Sequence, residues 1–156
     1  MSRRILLSEV SPLMEEILKG GGEVSFTPRG NSMHPMLRNH LDKIILVQAP
    51  AKLKKYDIPL YRRHNGQFVL HRVVAVKEDG YVLCGDNQIQ REYGIRHHQV
   101  MAVVKAFYHR GKYIDCHTNN LYRLYCITWI ALTPLRRILC KLRALASKAR
   151  RKPFEG

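Results

Sequence analysis

Acidic residues are the scarce class in this chain: 12 Asp and Glu stand against 27 Lys and Arg, a formal net charge of +15. Such an excess draws polyanions, meaning an anionic membrane surface or a nucleic acid, and no recognisable nucleic-acid motif supports the second. Metal motifs are missing too. Cys84, Cys116, Cys126 and Cys140 form no C-x-x-C pair, and eight histidines supply no H-E-x-x-H, so no metal or cofactor is expected and the cysteines read as buried free thiols. No stretch reaches the ~20 apolar residues that span a bilayer. The N-terminal apolar run ends at Leu7, before Ser8 and Glu9, too short for an export signal or a spanning anchor. No repeat of 20–50 residues is visible.

What is present fits one folded domain of 156 residues, 46% hydrophobic and 25% charged. The charge is uneven. Residues 121–156 hold nine of the basic residues and one acid, Glu155, so this segment carries +8 and the body +7. Three parts are expected: an N-terminal helix packed on the domain within 1–22, a β domain over 23–118, and a basic helical tail over 119–156.

Ser11-Pro12 reads as a helix start, with Leu13, Met14, Ile17 and Leu18 at helical spacing, and Gly20-Gly21-Gly22 stops the helix. Strands follow at Val24–Phe26, Asp42–Val47, Gln99–Tyr108 and Lys112–Asp115. Asn65-Gly66 and Asp79-Gly80 each suit a two-residue hairpin turn, pairing Ile58–Arg63 with Gln67–Val76 and the latter with Tyr81–Cys84. With Asp79 and Gly80 as the turn, Asp86 falls opposite Val73, on the face shared by His71, close enough for a carboxylate-to-imidazole contact. From Leu121 to Lys148 leucines recur at helical spacing opposite arginines and lysines, with Pro134 dividing the run.

The candidate chemistry centres on Gly30-Asn31-Ser32-Met33-His34-Pro35. Glycine frees the backbone before the serine, and Pro35 suits the first turn of a short helix, so Ser32 either projects its hydroxyl from a turn or caps that helix. His71 reads as a general base or as a strand histidine between valines. Asp86 reads as the carboxylate that orients it or as a turn former in Gly85-Asp86-Asn87. His34 is too near Ser32 in the chain to approach its hydroxyl well.

Taken in order, Gly30-x-Ser32-Met33-x-Pro35, Tyr56-Asp57-Ile58-Pro59-Leu60-Tyr61, Leu70-His71-Arg72-Val73-Val74 and Gly85-Asp86-Asn87 resemble the type I signal peptidase family over roughly residues 23–105. His71 stands where the better-known bacterial members have lysine, which is similar to the endoplasmic-reticulum-type branch. Tyr56 replaces a usual glycine, and Asp57 is assigned a structural role.

The resemblance implies a mainly β, signal-peptidase-like β-ribbon or partly open barrel. It also implies a serine endopeptidase acting on a leader- or signal-bearing polypeptide, with Ser32 as nucleophile, His71 as base, Asp86 as orienting acid and the Ser32 amide as oxyanion donor. Met33 and Pro35 are expected along the substrate groove, and His34 there or on the surface. Trp129, Arg136, Arg137 and Lys141 are expected against an anionic membrane on the cytoplasmic side, with the helix docking on its own sheet as the competing arrangement. The alternative function is a catalytically silent member of the fold that binds anionic membrane or nucleic acid through the basic tail.

Overall fold

The computed structural model of the chain describes residues 7–136 together with 138, 139 and 142. It is mainly β. In chain order come α1 (Leu7–Lys19), β1 (Val24–Phe26), β2 (Lys43–Gln48), β3 (Pro59–Arg62), β4 (Phe68–Leu70), β5 (Arg72–Lys77), β6 (Gly80–Cys84), β7 (Glu92–Ile95), β8 (Val100–His109), β9 (Lys112–Asp115) and α2 (Asn120–Ala131).

Helix α1 begins upstream of the expected Ser11 and carries Pro12 inside it. The proline forfeits one backbone bond. Apolar burial outweighs that loss, because Leu7 and Val10 continue the face of Met14 and Leu18 and all four join the main core. Gly20, Gly21 and Gly22 end the helix through bonds to Glu16, Leu18 and Ile17 carbonyls, with Gly21 in the left-handed region at φ 78°.

Six strands form one curled antiparallel sheet in the order β1-β2-β8-β3-β4, with β9 pairing the far half of β8. A second sheet has the order β5-β6-β7. The chain passes from β4, the edge of the first sheet, to β5, the edge of the second, through His71 alone. That residue therefore sits at the junction of the two sheets. One core lies beneath α1 and α2 around Ile44, Leu46 and Phe107, and a second lies between the sheets around Tyr61, Val73 and Leu83.

Both hairpins form, but with different turns from those expected. Arg63 pairs with Gln67 across a three-residue loop in which Gly66 has φ 84°, and Lys77 pairs with Gly80 so that Glu78 and Asp79 make the second turn. A bulge between Val73 and Ala75 then shifts the register, leaving Val73 opposite Leu83 and Arg72 opposite Cys84. The expected placement of Asp86 opposite Val73 is thereby corrected. Tyr56, where a glycine is usual in the resembled family, does take a left-handed φ of 83°. Asp57 beside it accepts a 2.7 Å bond from the Lys54 amide, a turn-forming role.

Candidate active site

Ser32 lies in a run of turns rather than at the start of a helix, and the His34–Pro35 bond is cis. Two tethers hold the loop. At its start Gly30, at φ 107°, donates its amide to Asn39 Oδ1 at 2.9 Å. At its end the buried Asp42 accepts from the Arg38 amide and guanidinium, with His109 Nδ1 2.8 Å away. A third contact comes from the far side of the site, where the Asn87 amide donates to the Ser32 carbonyl at 2.8 Å. Among the described residues the Ser32 amide and hydroxyl have no protein partner, which leaves one as a candidate oxyanion donor and the other as a candidate nucleophile.

Ser32 and His71 line the same cleft of about 390 Å³, together with Arg29, Met33, Phe68 and Leu70. No hydrogen bond joins the Ser32 hydroxyl to the imidazole. Of the expected groove residues Met33 is in this lining, while the exposed His34 and half-buried Pro35 are not. The groove wall is instead the edge strand β4, whose outer side has no strand partner among the described residues.

His71 is 1% exposed. Its Nδ1 faces Glu92 Oε1 and the Tyr61 hydroxyl, each at 3.1 Å. Burial pushes the imidazole below its ordinary range, and the nearby Arg63 adds to this while Glu92 and Asp86 oppose it. Burial also acts to raise Glu92, but hydrogen bonds from Arg63 and Tyr61 and the neighbouring positive charges outweigh it and hold the carboxyl below its usual value. A base kept neutral with one nitrogen engaged is suited to accept a proton on the other.

The expected His71–Asp86 contact is not formed, and the bulge explains why. Directly paired residues share a face, so Val73, Leu83 and Glu92 form one row and Arg72 and Cys84 the next, on the opposite face. His71, two residues before Val73, belongs with Glu92. Asp86, two residues after Cys84, belongs with Arg72. Had Val74 taken its place in the regular ladder, the turn register would have set Asp86 directly opposite His71.

Arg72 and Asp86 instead make a buried two-bonded ion pair at 2.8 and 2.7 Å. The remaining donors of Arg72 reach the Tyr56 carbonyl, Tyr122 hydroxyl, Cys126 Sγ and Met36 Sδ. Asp86 also accepts from the Tyr125 hydroxyl, and its backbone carbonyl from Trp129 Nε1 and Arg136. Helix α2, capped by the Asn119 side chain on the Tyr122 amide, thus docks on its own domain.

Trp129 and Arg136, expected at a membrane, are corrected by the same geometry. They lie on the inner face with the buried Tyr122 and Cys126, and the Arg136 guanidinium sits 4.1 Å over the indole. Arg137 and Lys141 lie outside the described residues. No helix among the described residues is long and apolar enough to cross a membrane.

Comparison with protein-family models, curated proteins and solved structures returns no match to this chain. The role of Glu92 carried no sequence signal, since it reaches His71 only through the pairing of β6 with β7. Arg72, by contrast, stood beside His71 in a quoted motif, and its complete burial was the unread part.

Proposed function

We propose that the chain is a serine endopeptidase in which Ser32 attacks the scissile carbonyl and His71 takes the hydroxyl proton on Nε2. The single observation that carries this reading is that Ser32 and His71 wall one cleft while Nδ1 of His71 faces a carboxylate 3.1 Å away. Proton transfer to Nε2 would then leave an imidazolium paired with Glu92, and return of that proton to the leaving amine would expel the amine and leave an acyl-enzyme on Ser32 for water to cleave. The Ser32 amide is the oxyanion donor in this scheme. Closure of the hydrogen bond between Ser32 and His71 is the step that substrate binding completes. An extended polypeptide suits the unpaired edge of β4, which offers backbone donors and acceptors beside Phe68 and Leu70. A leader- or signal-bearing polypeptide is the substrate class that the family resemblance favours.

A second reading, a membrane-binding member of the fold without catalysis, is favoured by another observation. The outer face of α2 and its continuation exposes Leu121, Leu124, Ile127, Leu135, Ile138 and Leu142, from 43% to 79%. Such an apolar strip beside a +8 segment suits peripheral attachment to an anionic, cytoplasmic membrane surface, and attachment is compatible with catalysis as well.

One pair of assays separates the readings. Purified protein should cleave leader-bearing peptides, with cleavage lost in Ser32→Ala and His71→Ala; equal rates in all three forms would remove the enzymatic reading. Leu121→Glu/Leu124→Glu/Leu135→Glu should abolish co-sedimentation with phosphatidylglycerol vesicles. Binding undiminished in that variant would remove the membrane surface proposed.

A further inference from the structure

We infer that Glu92 is the positioning residue for His71, the role the sequence assigned to Asp86; this rests on the peptidase reading for its catalytic meaning but not for its geometry.

Four side chains from four places in the fold converge to build the device. Tyr61 comes from the middle of β3, Arg63 from just after β3, Glu92 from the first position of β7, and His71 from the junction of the two sheets. Arg63 Nε donates to Glu92 Oε2 at 2.8 Å while its Nη2 donates to Oε1, the oxygen that also faces Nδ1 of His71. Arg63 Nη1 is in turn held by Gln67 Oε1 at 2.7 Å. A two-toothed guanidinium grip fixes the plane of the carboxylate, so its oxygen is presented to the imidazole at a set direction. The Tyr61 hydroxyl, 3.1 Å from Nδ1, closes the fourth side.

The tautomer follows. A carboxylate only accepts, so a proton shared with Glu92 across the 3.1 Å contact sits on Nδ1 and leaves the lone pair on Nε2, whereas a proton donated by the equally close Tyr61 hydroxyl would give the other tautomer. Among the described residues no protein group takes a hydrogen bond with Nε2, and His71 lines the cleft that Ser32 shares. Asp86 offers no competing acceptor, since its carboxylate is turned to Arg72 and Tyr125 on the other face.

The test reads the imidazole itself and then the reaction. Nitrogen-15 NMR of the full-length chain at neutral pH, with the His71 signals assigned by their loss in His71→Gln, should show Nδ1 protonated and Nε2 bare. In Glu92→Ala the ring should lose that single tautomer, and in Tyr61→Phe it should keep it. Cleavage of a leader-bearing peptide by Glu92→Ala should fall about 10⁴-fold in kcat with KM little changed. Glu92→Asp should recover at least about tenfold of that loss.

An unchanged tautomer in Glu92→Ala, or a tautomer lost in Tyr61→Phe and kept in Glu92→Ala, overturns the assignment. So does a folded Asp86→Asn in which Nδ1 loses its proton. If no form cleaves any peptide, the peptidase reading fails while the spectra still decide what Glu92 does.

Discussion

The Ser32 carbonyl oxygen lies so close to Gly85 that a β-carbon on that glycine would stand 2.5 Å from it. The turn carrying Asp86 is thus seated directly on the backbone of the candidate nucleophile. Gly85→Ala must push the two apart, because the obstructing atom is backbone and cannot swing aside. Overpacking of this kind costs about 1–3 kcal/mol, and displacement of a reacting group by about 1 Å costs about 10²-fold in rate. Peptide cleavage should therefore fall far more than a thermal melt does; a wild-type rate in Gly85→Ala would show that Ser32 need not be held there.

Removal of one half of the Arg72–Asp86 pair should be among the most damaging single changes in the chain. Arg72 is 0% exposed and Asp86 3%, so Asp86→Asn leaves a buried cation uncompensated, at a cost of about 3–5 kcal/mol. Arg72→Met/Asp86→Leu removes both charges and should lie closer to wild type than Asp86→Asn alone. Urea denaturation of the three forms measures this directly. Additive losses in the double variant would mean that the two residues are not coupled.

Activity should rise with pH through a midpoint below the ordinary histidine value of 6.5. The sign follows from burial, which disfavours the imidazolium of His71 and so keeps the base neutral to lower pH. The charged and titratable groups facing it are Tyr61 and Arg63 from β3 and its exit and Glu92 from β7, while Asp86, beyond β6 and on the other face, acts only through its charge. Of these, the carboxylates push its midpoint up and Arg63 down. Glu92→Gln should therefore move the acidic limb of kcat/KM to lower pH, and a shift upward would contradict the arrangement.

Acid should loosen the serine loop through Asp42. Burial acts to raise this carboxyl, but hydrogen bonds from Arg38 and His109 outweigh it and bring its pKa to about 2. A carboxylate depressed on folding contributes in full above its unfolded value of 3.8 and loses that contribution as pH falls toward 2. The difference corresponds to ~2 kcal/mol. Wild type should lose stability between pH 4 and 2 more steeply than Asp42→Asn, as followed by thermal melts. Parallel curves would place the acid sensitivity elsewhere.

Much of the architecture was legible because it is local. The glycine run that ends α1, the alternating strands, the hairpin at Gly66 and the turn that presents Ser32 all follow from residues close in the chain, whose periodicity and φ preferences act without distant partners. The upstream start of α1 was hidden by Pro12, since a proline signal is strong in sequence while the burial of Leu7 and Val10 is visible only once the core exists.

The residues of the chain alone determined which groups were available: a serine on a turn, a histidine in a strand, an arginine beside it and an aspartate after a glycine. Tertiary structure decided the pairing. One extra residue, Val74, reverses which side of the ribbon faces which, gives Asp86 to Arg72 and leaves His71 to Glu92. Similarly, only packing determined that Trp129 and Arg136 turn inward while the leucines of α2 turn outward. A bulge and a docked helix face are settled by competition among contacts between residues far apart in the chain, and that competition has no local trace.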